Sequence, residues 1–402
     1  MENNMLQIDE RKPVPQFALF ELGFRPFFTL AGLYGVIAML LWMLLFLFAA
    51  QIPTATLVPM DWHAHEMIFG YAMAVVAGFL LTAVSNWTGV PTWKGWRLAL
   101  LVSLWVVARV ALLLPIENAL LLAAVADLLF GIGLIVGVSL PVLRVKMWKQ
   151  AGILVKLVLM FVANLLFYAG ALDYMELSTH IGLYLGIYMI LALLFMMMRR
   201  VLPFFIERGA GDGFKPRNRK WLDISSIVLF ALWVLADLFM NSRELLAGFS
   251  LLLFVLHLVR LRDWHTPAIW KAPLLWSLYT AYIALAIAFL LKALSAWSLL
   301  SPSLALHAFA VGGIGVMTLG MMSRVTLGYT GRDIFTPPRG VVIVFILLLL
   351  GFLFRVVMPI VAARDYMLWI GVSQVLWMAS FAGFSIIYLP QLVRARIDGR
   401  PG

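Results

Sequence analysis

The chain contains no cysteine, which removes disulfides, iron–sulfur clusters, thiolate-ligated haem and haem attached through a Cys-x-x-Cys-His motif. Any metal must therefore be held by His, Met, carboxylate or Tyr. Charge is also scarce: only 12% of the 402 residues are Asp, Glu, Lys or Arg, against about 25% in a soluble domain. With 64% hydrophobic residues, a water-facing surface built from this sequence would aggregate, so an ordinary soluble enzyme is excluded. The composition is that of a polytopic membrane protein whose outer skin is lipid. Acidic residues are the rarer sign, 19 against 30 basic, giving a net charge of +11. The excess is scattered through short loops and forms no single water-facing patch, which argues against a nucleic-acid partner.

What the chain does have is apolar runs. Met1 to Gln16 is polar and no small-residue cleavage site ends the first run, so no cleaved signal peptide is expected. Twelve stretches follow, at about 27–50, 64–86, 97–114, 118–142, 152–172, 178–198, 221–241, 244–260, 273–297, 303–323, 340–362 and 366–390. Each approaches the ~20 residues that cross a bilayer as helix. The expected fold is an all-α polytopic membrane protein of twelve transmembrane helices, forming one integral membrane domain over 1–402. It has a cytoplasmic N-terminus at 1–26, and a basic loop at 199–220 between two six-helix halves.

Basic residues give an independent check on the count. With the N-terminus cytoplasmic, 24 of the 30 Lys and Arg fall in cytoplasmic segments, and only Arg243 and Arg364 fall on the opposite side. Positive residues stay inside, and a miscounted helix would invert every later loop. Both termini are then expected in the cytoplasm. Arg109, Lys156, Lys292 and Arg355 remain inside spans.

Spans two and ten share the spacing His-x4-Gly-x7-Gly-x9-Thr-Gly, carried by His65, Gly70, Gly78, Thr88 and Gly89, and by His307, Gly312, Gly320, Thr330 and Gly331. Glycines eight residues apart lie on one helical stripe, where another helix or a flat cofactor can approach the backbone. Tight helix packing is the commoner use of such a stripe, but here each one carries a histidine at its outer end. His63, His65, His180 and His307 all fall at one membrane depth, on spans two, six and ten. Several histidines converging at one level suggest a metal or proton site. His63 and His65 point about 200° apart on a helix and need separate roles. The spacing suggests one non-covalent b-type haem between His65 and His307, with His63 beside His180 or Met60 for a second metal or a propionate. A helix-capping role is open to His180, and Asp61 is placed to cap span two. Glu66 is a candidate hydrogen-bond partner or proton acceptor. Arg109 and Arg355 lie where they can pair with haem propionates or Glu66. Asp127 suits a buried pair with an arginine, while Lys292 and Asp237 suit snorkelling near helix ends. The Met196–Met198 and Met321–Met322 clusters sit at the cytoplasmic ends, where packing is expected.

The run Trp62-His63-Ala64-His65-Glu66-Met67-Ile68-Phe69-Gly70, continuing to Asn86-Trp87-Thr88-Gly89, resembles the signature of the NnrS family. So do Gly23-Phe24-Arg25-Pro26-Phe27-Phe28, Arg200-Val201-Leu202-Pro203-Phe204-Phe205, Leu306-His307-Ala308 and Gly320-Met321-Met322-Ser323-Arg324-Val325. The resemblance covers essentially the whole chain. It implies a multi-pass protein of the bacterial inner membrane, associated with haem and copper and linked to nitric oxide, nitrosative stress and denitrification. His63, His65 and His307 are the residues that match.

A weaker analogy is with haem–copper oxidases, whose twelve spans form arcs of four with a haem between helices two and ten. The set of histidines on helices six and seven that holds their copper is missing here, so shared architecture would not bring oxygen reduction. Three functional readings follow. The first is a haem protein handling nitric oxide near the periplasmic face. The second is a transporter or metal-delivery protein, and the third a sensor or assembly partner without turnover. The expected partners are the lipid bilayer and a small ligand such as nitric oxide, with an electron donor or assembly partner left unidentified.

Overall fold

The computed structural model describes residues 17–211, 213–240 and 242–398. They form twelve helical rods, and no β-strand occurs among the described residues. The rods are α1 (Phe24–Leu47), α2 (Pro59–Thr88), α3 (Trp96–Ala111) and α4 (Ala119–Arg144). Next come α5 (Ala151–Ala171), α6 (Ser178–Ala210), α7 (Lys220–Phe239) and α8 (Arg243–Trp264). The last four are α9 (Pro273–Ala296), α10 (Pro302–Tyr329), α11 (Gly340–Val361) and α12 (Tyr366–Val393). Eleven are long and apolar enough to cross a membrane. The exception is α3, with 16 residues; it stops short of Pro115, whose ring disfavours helix in the residue before it.

Helix is forced on these segments because lipid offers nothing to bond a free backbone N–H or C=O. Proline opens α2, α9 and α10, where its missing N–H is one that a helix leaves unpaired in any case. Gly89, at φ +68°, closes α2 in the left-handed conformation that costs glycine nothing. Two expectations need correction. Asp61 does not cap α2: Val58 holds the cap position and Asp61 lies in the first turn. The segment 199–220 is not all loop, because α6 continues to Ala210 through Pro203. Leu202 and Ile206 are fully buried there and keep the extra turns packed.

Burial separates the centre of the bundle from its rim. In α2, 89% of the most apolar stretch is buried and in α10 78%, against 33% in α7 and α8, which face outward. Packing follows chain order around the rim, and α12 closes the ring against α1. The second helix of each consecutive group of four, α2, α6 and α10, turns inward, and these three touch one another. Arg25 Nη1 donates to the carbonyls of Leu392 and Arg394 at 2.9 and 2.6 Å. The start of α1 and the end of α12 therefore lie at the same end of the bundle.

The closest pairing is α5 on α6. A Cβ on Gly182 would lie 2.5 Å from both the Ala163 carbonyl oxygen and the Phe167 nitrogen, backbone atoms that cannot swing away. Gly248, on rim helix α8, has nothing within 4 Å. Gly182→Ala should therefore cost about 1–3 kcal/mol by overpacking. Gly248→Ala should be neutral or stabilise by up to ~1 kcal/mol through helix propensity. Thermal unfolding in detergent compares them, and equal midpoints for the two variants would contradict this packing.

Candidate functional site

The first turns of α2 present two histidines to two different environments. His65 is fully buried, as is Glu66, and the pair faces α3, α4 and α5. His65 Nε2 lies 3.0 Å from Asn164 Oδ1, and Nδ1 lies 2.9 Å from Glu66 Oε1. Asn164 Nδ2 donates to Asp127 at 3.1 Å, which fixes the amide so that its oxygen accepts from His65. Arg109 joins the two carboxylates, 2.7 Å from Glu66 and 2.6 Å from Asp127. Tyr168 donates to Asp127 at 3.2 Å, and Tyr34 donates to Glu66. One arginine thus faces two carboxylates inside the bundle. Phe167 stacks on the His65 ring at 4.2 Å and closes that face.

His63 faces the other way. With His180 and His307 it lines a cavity of about 470 Å³ between α2, α6 and α10, whose walls are mostly apolar and include Ile187, Ile314 and Trp377. The His63 ring lies flat on Trp42, 4.3 Å away and tilted by 7°. Its Nδ1 is buried and has no hydrogen-bond partner among the described residues. His307 Nδ1 lies 2.7 Å from the Ser303 carbonyl one turn earlier, so Nδ1 carries the proton and Nε2 keeps its lone pair. Arg355 Nη2 contacts Ser303 Oγ at 3.0 Å and the His307 ring at 3.1–3.2 Å, whereas Arg355 Nη1 has no hydrogen-bond partner among the described residues. Met60 and Asp61 also line this cavity, and His180 is exposed, with its ring 4.4 Å from that of Tyr184 and tilted by 34°.

The backbone is unusual at this level. Both repeat-related helices widen to π geometry directly after the histidine, over Glu66–Ala72 in α2 and Ala308–Gly315 in α10. A third π turn, Leu353–Val357, carries Arg355. Such turns are rare and concentrate at functional sites. Pro359 accounts for the third: it lacks the N–H that would bond the Arg355 carbonyl in an α-helix. In α2 the Gly70 carbonyl takes the Trp105 indole N–H at 3.1 Å. Tyr71 and Thr318 then tie the two widened helices together at 2.6 Å.

Several residues are thus not where the sequence placed them. His65 does not share the cavity with His307; its ring nitrogens are taken by Glu66 and Asn164, and His63 occupies that position. Arg109 lies in the His65 cluster, while Arg355 lies against His307. The glycine stripes are covered by neighbouring helices. A Cβ on Gly70 would meet Tyr34, one on Gly78 would meet Phe28, one on Gly312 Phe352 and Ala284, and one on Gly320 Leu278, all within 3.0 Å. These glycines serve helix contact, the commoner of the two uses. Lys292 does not snorkel but pairs with Asp237 at 2.8 Å. Among the described residues no group of three His, Asp or Glu side chains is arranged to hold a metal ion. What the cavity does offer is two imidazoles on one apolar space, with Arg355 Nη1 nearby and without a hydrogen-bond partner among the described residues. Trp42 and Ser303 escaped the sequence reading, although Ser303 stands one turn before His307, the usual spacing for such a bond.

The fold and this site define a class: a polytopic helical membrane protein with a histidine-lined, apolar cavity at one end of the bundle. The NnrS protein family matches residues 18–396. The chain belongs to that family, and so to a group of membrane proteins whose role is related to nitric oxide. No curated protein matches it.

The His65 cluster is testable as a unit. Arg109→Leu would leave Glu66 and Asp127 facing each other without their cation, at a cost of about 3–5 kcal/mol. Adding Asp127→Leu should recover part of that loss. Unfolding midpoints in detergent give both numbers, and an Arg109→Leu protein as stable as the parent would contradict the assignment.

Proposed function

We propose that the chain is a haem protein of the bacterial inner membrane that binds nitric oxide at the end of the bundle facing the periplasm. The cavity takes one non-covalent b-type haem, with His63 and His307 as the iron ligands and Arg355 beside a propionate. The observation that carries this reading is the buried, partnerless Nδ1 of His63 on the same apolar cavity as His307. Histidine ligands of a metal commonly hold their other ring nitrogen in a fixed bond, and the Ser303 carbonyl does this for His307. Trp42 holds the His63 ring in one plane. When bound, the haem would supply one-electron chemistry and, on release of one of the two histidines, a binding position for nitric oxide.

The remaining residues set the surroundings. Met39, Ile68, Ile190 and Val311 keep water from the cavity, which favours a small, weakly polar ligand arriving through lipid. The His65 cluster fixes the rotation of α2 and takes no part in ligation. The side assignment rests on the basic loops, which gather at the opposite end from His63 and His307. Copper has no three-donor set of His, Asp or Glu among the described residues and is left out of this reading.

Purified protein should show a Soret band that shifts when nitric oxide is added. His63→Ala and His307→Ala should each lose or broaden the band. His65→Ala should destabilise the protein while leaving the spectrum of the folded fraction unchanged. A spectrum unaltered in His63→Ala and His307→Ala would overturn the ligand assignment.

A further inference from the structure

A second cavity, of about 220 Å³, lies at the opposite end of the bundle, where the basic loops gather. Arg324, near the end of α10, lines it while remaining only 7% exposed. Its guanidinium carbon lies over the Phe205 ring, 3.6 Å from the centroid. No hydrogen bond or ion pair of its charged group is found among the described residues, and no carboxylate pairs with it. Lys271 lines the same space. So do Ala272, Pro273 and Leu274, the start of the 24-residue helix α9, whose first turn has no side-chain cap.

We propose that this cavity binds a phosphate-class anion. Three positive features face one space: a buried guanidinium, an ammonium and the positive end of a helix dipole. A cation withdrawn from water without a counter-ion is costly, and a ligand that supplies the negative charge removes that cost. Phe205 lies against the guanidinium, whose parallel N–H bonds meet two oxygens of a phosphate together. Among the described residues no carboxylate lines the cavity, and Leu275, Ile334 and Phe335 form much of the remaining wall. The ligand is a phosphate group, either free or as the headgroup of an acidic phospholipid. The inference is independent of the haem reading, since the residues lie at the other end of α10.

The test uses the full-length protein, its Arg324→Gln and Lys271→Gln variants, and two probes. Inorganic phosphate is titrated by calorimetry into protein in detergent micelles. Separately, protein from vesicles of phosphatidylglycerol and phosphatidylcholine is examined by native mass spectrometry for retained phosphatidylglycerol. The parent protein should bind one probe saturably, and Arg324→Gln should weaken that binding by about tenfold or more. Saturation by inorganic phosphate identifies a free anion as the ligand; retention of phosphatidylglycerol alone identifies the lipid headgroup. Lys271 is exposed, so Lys271→Gln should fold normally and bind more weakly than the parent, which keeps the test alive if Arg324→Gln fails to fold. Binding of neither probe by the parent protein, or binding by every folded variant as tight as the parent's, would overturn the proposal.

Discussion

Arg109, held between Glu66 and Asp127 inside the bundle, fixes the orientation on which the functional end depends. A helix in lipid can rotate about its axis with little penalty when every side chain is apolar, because the acyl chains are as apolar as the packing partner. Glu66 removes that freedom. Its carboxylate must meet Arg109 and Tyr34, so α2 turns this face toward α1, α3, α4 and α5. His65 follows Glu66 into the cluster, and His63, two residues earlier, is carried to the opposite face. The cavity histidine is thus placed by a polar contact on the other side of its own helix.

Widened turns refine that placement. In α2 and α10 the π geometry begins immediately after the histidine, and Tyr71 and Thr318 join the two helices. Both helices carry glycine within the widened stretch, and both are pressed closely by neighbours there. Arg355, on a third π turn, reaches His307 from α11. Pro359 accounts for the third of these departures, whereas the paired π turns of α2 and α10 contain no proline, and α5, α7 and α8 cross the same bundle as continuous α-helix.

The sequence made the twelve rods legible because lipid admits little besides helix and because basic residues mark alternate loops. The repeat on spans two and ten pointed to two of the three helices whose histidines line the cavity. It paired His65 with His307 by equivalent spacing, whereas His65 turns to Glu66 and Asn164 and His63 lines the cavity. At 100° per residue, spacing along one helix cannot say which of His63 and His65 turns inward; Arg109 and Asp127 decide that from other helices. The glycine stripes were ambiguous for a related reason. Small residues admit any flat neighbour, and the phenylalanines and leucines that fill those spaces are distant in sequence. Lys292 looked like a snorkelling end residue because Asp237, its partner, is 55 positions away. The extension of α6 past Arg199 was hidden by Pro203 and the surrounding basic residues, which resemble a loop in isolation.

The two ends of the bundle differ in chemistry. One presents imidazole nitrogens to an apolar space beside Arg355, and the other presents the Arg324 guanidinium and Lys271 to a cavity near the basic loops. The helix α10 runs between them, with His307 near its start and Arg324 near its end. The claim that matters most is that α2 offers His63, and not His65, to the ligand of the first end. An experimental density map of the purified protein tests it directly. The account predicts planar density between His63 and His307, with His65 still bonded to Asn164. Planar density bounded by His65, or a cavity that stays empty in protein shown to contain haem, would contradict it.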